Sequence, residues 1–560
     1  MTTMMTKGNL LRAMAILCMG VAVSCKKSDV KTPEPPVDPP VGGGNTKQTP
    51  TTNRVELTND SIFLYAQQVY YWNTTLPGYD AYEPRKYTSG STNLDKYENN
   101  LFNLIKASNS PEYVSGSNSI KYSYIDDTDD NNVLSVLPAR KSAVELSGIG
   151  NDIGLRAVSY IINDARAYLL FIVQVYDGSP ADKAGLRRGD VIEKINGASV
   201  GANYDAEAAL RAPLGSASVT IQGSNYADRK AFTKNLVKQT YKSSAVDTSA
   251  VLNVGGKKIG YLSFARFSEL SASGSSSASS SDVNLDPAFA KFAAEGITDL
   301  VVDLRYNGGG YVETAKYMVN LIAPSTVKTT DVMFTEYFNQ TMQKGQATIL
   351  KNQPLLDRNG KLQYIEGRIA TYFDIPYSET NPQNIARFEK KGPLTGVKNV
   401  TFIVAAGTAS ASELVINSLR PYVNVKIVGE KTYGKPIGFF PITIEKKYDV
   451  YFSLFETKNA LGQGGYYGGM QPDAGYADEF DDPRYQFGDV RENYLSLALK
   501  TLGVQTAATT ASTGQTLVSP KTMSLKGGGT VSVKTFTAGR IKPVRTGTDF
   551  VGMVATPKLK

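Results

Sequence analysis

The stretch FAKFAAEGITDLVVDLRYNGGGYVETAKYMVNLIAP, residues 289–324, changes its periodicity three times. Its first residues have helical apolar spacing. The run DLVVDL at 299–304 is short, valine-rich and apolar on both faces, which predicts a strand buried on both sides. A glycine turn, NGGG at 307–310, separates it from a second helix-period segment. The same alternation returns at VKNVTFIVAAGTASASELVINSL, residues 397–419, and at NVKIVGEKTYGKPIGFF, residues 424–440. Helices alternating with short buried strands predict an α/β core.

Outward from this core, the 560-residue chain is too long for one hydrophobic core and predicts several units. Hydrophobic residues make up 41% and charged residues 20%, the proportions of a globular protein. The formal charge of +8 is spread along the chain without basic clusters interleaved with aromatics, so no nucleic-acid partner is expected. At the N-terminus Lys7 and Arg12 flank LLRAMAILCMGVAV, an apolar run too short to span a bilayer as a mature helix. It ends in AVSC, resembling a bacterial lipoprotein signal in which Cys25 becomes the acylated first residue; an ordinary secretory signal is the other reading. The expected location is the cell envelope, with the membrane as a partner through the lipid. The expected division is a signal over 1–25, a Pro/Gly-rich linker over 26–54, a small helical domain over 55–140, and three further units. Those are residues 141–243, residues 244–502 and a Ser/Thr-rich tail over 503–560, read as disordered or as a short β-attachment. SASGSSSASSSD, residues 271–282, reads as a flexible surface loop.

Elimination narrows the chemistry. The chain contains no histidine, which removes Ser-His-Asp, Cys-His and His-ligated zinc mechanisms. Its two cysteines, Cys18 and Cys25, both belong to the N-terminal signal, so neither a thiol nucleophile nor a disulfide framework is expected in the mature chain. A hydrolytic serine would then need another base, and lysine is the recognised substitute once burial lowers its pKa. Ser410 stands before an apolar helical run with Glu413 three residues on, which fits a capping box as well as a nucleophile.

Two resemblances sharpen these readings. YLLFIVQVYDGSPADKAGLRRGDVIEKINGASV, residues 168–200, resembles a PDZ domain of the bacterial secreted-protease type, with Gly178, Pro180, Gly185, Leu186, Gly189, Asp190 and Gly197 in pattern. Upstream, SGIGNDIGL resembles its carboxylate-binding loop, which implies peptide-binding roles for Gly148, Ile149, Gly150, Ile153, Gly154 and Leu155. DLVVDLRYNGGG, GTASASE and KTYGKPIG follow in the order and spacing of the C-terminal-processing, or tail-specific, serine peptidases. That resemblance covers roughly residues 140 to 480 and implies a multidomain α+β and α/β protein: helical N-terminal domain, barrel-like PDZ domain and crotonase-like peptidase core. It implies Ser410 as nucleophile, Lys435 as base, and protein or peptide substrates with accessible C-termini. No metal or organic cofactor is implied.

The physical reading agrees. A serine at a strand-to-helix turn lies at the positive end of a helix, and Ala411 N–H with Gly308 or Gly309 N–H could form an oxyanion hole. One departure is Phe439, where processing members of the family often carry a glutamine that positions the lysine. It favours the rival reading of a peptide-binding scaffold with weak or no turnover. A glycan- or lipid-handling lipoprotein is a third reading, without an acid pair or aromatic repeat to support it.

Overall fold

A central sheet of five strands runs in the order Val246–Val254, Lys257–Phe264, Asp299–Asp303, Asn399–Val404 and Asn424–Gly429. The computed structural model that contains it describes residues 47–128, 144–162, 164–270, 281–357, 360–473 and 480–505, with four short strands at 522–524, 530–532, 542–544 and 552–554. The first two strands of the sheet form an antiparallel hairpin, and the other pairings are parallel. Parallel neighbours need crossovers, supplied by helix Asp286–Ala294 between the second and third strands and by helix Ala411–Leu419 between the last two.

Alternation along each strand divides the sheet into two faces. Leu262, Val302, Phe402 and Ile427 stand opposite one another across the sheet and pack with Phe289, Met318, Leu414 and Val415 of three helices. Their neighbours Tyr261, Val301, Ile403 and Val428 face the other way, against Tyr494, Leu495, Ala498 and Leu499 of helix Asn493–Thr501. Covering both faces is what makes the strands read as continuous apolar runs.

Residues 155–237 form an antiparallel sheet, ordered 155–161, 168–175, 190–195, 218–225 and 231–237, around Ile153, Leu170, Ile172, Leu186, Ile192 and Ile221. A short helix, Pro180–Lys183, is capped by Ser179, which accepts from Asp182 N–H at 3.1 Å. This unit meets the core through buried charge. Arg188 on one side and Arg305 on the other both donate to the carboxylate of Asp481, and Arg305 also binds Asp303 and Glu492. Although burial opposes it, the two guanidiniums hold the Asp481 carboxyl well below the usual carboxylate range.

The N-terminal helices Arg54–Val69 and Asn93–Ser108 lie where helical spacing predicts them; Thr92 and Asp95 form a reciprocal capping box on the second. Their aromatics are core, with Phe63 between Tyr79 and Tyr82, and Trp72 edge-on to Tyr467. They share one hydrophobic cluster with the helical face of the central sheet, and strand Tyr124–Asp127 pairs antiparallel with Tyr448–Tyr451. This segment is therefore built onto the central α/β core, sharing its hydrophobic cluster and one strand pairing. The signal, Cys25 and most of the linker lie outside the described residues, as does nearly all of the serine-rich insert. Among the described residues no helix is long and apolar enough to cross a membrane.

Candidate active site

The strand Asn399–Val404 ends at the edge of a tight turn, and the chain enters helix Ala411–Leu419 through Ser410. Ser410 has φ 61° and ψ −114°, a backbone conformation that is strained for a residue with a side chain. Three connections hold the turn to the LRYNGGG segment, residues 304–310. Thr408 Oγ1 donates to Leu304 O at 2.8 Å, Ala409 N–H to Asn307 O at 3.3 Å, and Ser412 Oγ to Asn307 O at 3.1 Å. Neither Thr408 nor Ser412 caps the helix, since both hydroxyls serve this stitching.

Glu413 joins the serine turn to the lysine loop. Its carboxylate is fully buried and accepts from Ser410 N–H at 2.8 Å, Lys435 N–H at 2.7 Å, Gly434 N–H at 2.8 Å and the Thr432 hydroxyl. Burial pushes its carboxyl above the ordinary range, and the donated hydrogen bonds pull the other way. Half of the expected capping box is present: Glu413 takes the Ser410 N–H, while Ser410 Oγ is buried without a hydrogen-bond partner. The two loops meet again where Tyr433 N–H donates to Thr408 O at 2.9 Å.

Ser410 and Lys435 are both 0% exposed. The structure brings their backbones onto one carboxylate, but no hydrogen bond joins Ser410 Oγ to Lys435 Nζ. Lys435 Nζ lies over the Phe439 ring, 4.1 Å from its centroid, and 5.7 Å from that of Tyr122. The position expected to leave the lysine poorly oriented thus supplies an aromatic seat. Gly434, at φ +85°, admits no side chain, because a Cβ would stand 2.3 Å from Gly469 N and 2.6 Å from the carbonyls of Tyr466 and Tyr467.

Ala411 is the first helical residue, so its N–H has no acceptor within the helix. Of the two turn glycines, Gly309 donates its N–H to Asn307 Oδ1 at 2.9 Å, which leaves Gly308 as the better placed donor of the expected pair. Arg305 pairs with the buried carboxylates of Asp303, Asp481 and Glu492 and does not face the serine turn's carboxylate, Glu413. The two glycine-bearing PDZ segments differ. Gly148 and Ile149 direct their N–H groups to Glu145 O and Ser147 Oγ, and Ile149–Asp152 pairs with Gln239–Lys242. The expected cradle of open N–H groups is therefore not formed at Gly148–Gly150. Gly154, at φ +79°, makes the turn into Leu155–Ile161, with its N–H on Asp152 Oδ1 and Ile153 O accepting from Ala181 N–H.

Sequence reasoning missed the N-terminal contribution. Lys121 Nζ and Tyr122 Oη both donate to Gly434 O, the carbonyl preceding Lys435, and Lys121 also reaches Tyr467 O. Burial lowers the Lys121 amine to about 8. No local signal links these residues to a loop more than half the chain away; Glu413 and Asn307, by contrast, stand within the quoted motifs.

Residues 258–474 match the model of peptidase family S41, and residues 171–218 match a PDZ-domain model. The chain is 26% identical over 270 residues to the carboxy-terminal-processing protease of Bartonella bacilliformis, covering 48% of this chain and 49% of that protein. It is likewise 26% identical over 267 residues to the carboxy-terminal processing protease CtpA of Bacillus subtilis, covering 48% and 44%. The chain spans about half the length of these curated relatives. A solved S41 protease structure from Bacteroides fragilis shares the fold, with a TM-score of 0.53, 21% identity, and coverage of 79% of this chain and 97% of that one. The family motifs thus lie in one buried cluster beside a PDZ unit, in a segment, residues 258–474, that is similar to peptidase family S41.

Proposed function

We propose that this protein is a serine endopeptidase that uses Ser410 as nucleophile and Lys435 as general base and acid on protein or peptide tails. The observation that carries this reading is the shared carboxylate of Glu413, which ties the strained Ser410 turn to the lysine loop through both backbones. In this reading Ser410 Oγ attacks the scissile carbonyl as Lys435 Nζ takes its proton. Ala411 N–H and Gly308 N–H stabilise the oxyanion, and Lys435 returns the proton to the leaving amine before water releases the acyl group.

The PDZ unit would capture the tail by adding it to a sheet edge. Cys25 would carry the lipid that holds the enzyme at the cell envelope. The test is cleavage of an unfolded protein with an unstructured apolar C-terminus by the parent chain, Ser410→Ala and Lys435→Ala. Turnover lost in both variants with the fold intact supports the dyad.

The missing hydrogen bond between Ser410 Oγ and Lys435 favours a second reading, a peptide-binding scaffold with weak turnover. Tail binding without cleavage by the parent chain would support it.

A further inference from the structure

The strand Gly309–Tyr311 has two edges. Phe267 closes one, donating its N–H to Gly309 O and accepting from Tyr311 N–H, both at 2.9 Å. The other edge is taken by the chain's own C-terminal strand Gly552–Val554, parallel, with Gly309 opposite Gly552, Gly310 opposite Met553 and Tyr311 opposite Val554. The same strand lies beside Ile437–Gly438, which directly follows the lysine loop. It is thus inserted between the glycine turn and the arm that carries Lys435.

A few positions earlier, Lys542–Val544 adds antiparallel to the edge of the PDZ strand Leu155–Ile161, with Lys542 opposite Ile161 and Val544 opposite Ser159. Along the chain, the tail therefore joins the PDZ sheet first and the cleft second. The first is the backbone contact that a substrate tail makes under the proposed function, and the second lies along the glycine turn that carries the expected oxyanion donor. Pairing of this kind is made by main-chain groups, so one edge accepts either a foreign chain or the protein's own. The full burial of Ser410 and Lys435 agrees with a closed site, since no substrate carbonyl can reach a hydroxyl with no exposed surface.

We propose that the strands 542–544 and 552–554 are intramolecular occupants of the substrate path, holding the peptidase closed until a substrate strand displaces them. The proposal rests on the peptidase reading for the meaning of the path, but occupancy itself is a matter of backbone pairing. A tethered segment competes at an effective concentration on the order of 1 mM. With an intrinsic affinity of about 100 μM, that raises the apparent KM roughly tenfold and leaves kcat unchanged.

The test uses the full chain and two proline variants, Met553→Pro and the double variant Gly552→Pro/Val554→Pro, since proline removes the N–H that pairing requires. At least one variant is expected to show a several-fold lower KM at unchanged kcat, and a synthetic peptide of residues 540–560 added in trans should restore the higher value. Amide exchange at Gly310 and Tyr311 is measured on the same proteins and should be faster in that variant than in the parent. Equal KM and equal exchange in all three proteins, with the fold intact by circular dichroism, would overturn the proposal. If none of them cleaves, the peptidase reading fails, and the exchange difference alone still decides whether the tail occupies the cleft.

Discussion

Lys435 Nζ sits 4.1 Å from the centroid of the Phe439 ring, and that ring is wedged edge-on against Tyr124 and Tyr451. Packing against the ring face blocks other positions of the Lys435 side chain. Under the proposed function the ring takes the orienting task that a polar neighbour would perform by hydrogen bonding. Replacing Phe439 by Leu keeps the site apolar but removes the face. We expect kcat to fall about tenfold with KM little changed, and a stability loss of about 1 kcal/mol in urea melts. An unchanged kcat would remove Phe439 from the positioning of Lys435.

Glu413 accepts four donors while fully buried. Glu413→Gln has nearly the same shape but turns an NH2 group toward N–H groups that need an acceptor. The expected cost is about 2–4 kcal/mol of stability, together with a loss of kcat larger than that for Phe439→Leu. Equal stability of the variant and the parent chain in chemical denaturation would show that the carboxylate is not what joins the two loops.

Ser410 carries its side chain at positive φ. Ser410→Gly is expected to raise stability by about 1 kcal/mol while abolishing turnover, whereas Ser410→Ala abolishes turnover without that gain. Thermal melts of the two variants side by side measure the difference, and equal melting temperatures would mean that the turn is unstrained.

Lys121 titrates at about 8 in the fold, against an ordinary value of 10.5, because burial disfavours its charge. Its surroundings are the carbonyls of Gly434 and Tyr467, the rings of Tyr122 and Tyr433, the Glu413 carboxylate, which favours the charge, and Lys431, which opposes it. Between these two pKa values the unfolded chain holds a proton that the folded chain has released, so stability rises with pH from about 8 toward 10.5. Lys121→Met should remove that part of the slope between pH 8 and 9.5. Lys390, also lowered to about 8 by burial, titrates equally in both proteins and cancels in the comparison. Parallel stability curves for parent and variant would contradict the assignment.

Asp481 is the shared partner of Arg188 and Arg305. Asp481→Asn leaves two buried guanidiniums short of charge and should cost about 3–5 kcal/mol. Because its carboxyl is held below the usual range, its contribution is complete above the unfolded value and disappears as pH falls through the folded one. Acid denaturation should begin at higher pH in the variant, as followed by tyrosine fluorescence.

The alternation of helices with valine-rich strands, the glycine turn and the absence of histidine were legible in the sequence because each is local or compositional. They determined an α/β core and a serine with a lysine base as the chemistry left to consider, while the PDZ unit and the choice of Ser410 and Lys435 followed from the resemblances. Tertiary structure decided what no local pattern carries. It packed the N-terminal aromatics into the core, brought Lys121 and Tyr122 onto Gly434 O, seated Lys435 on Phe439 and gave the C-terminal strand an edge in the cleft. The physical reason is that strand and helix periodicity reports which face of an element is buried, whereas partners distant in sequence are chosen only when those faces close on one another.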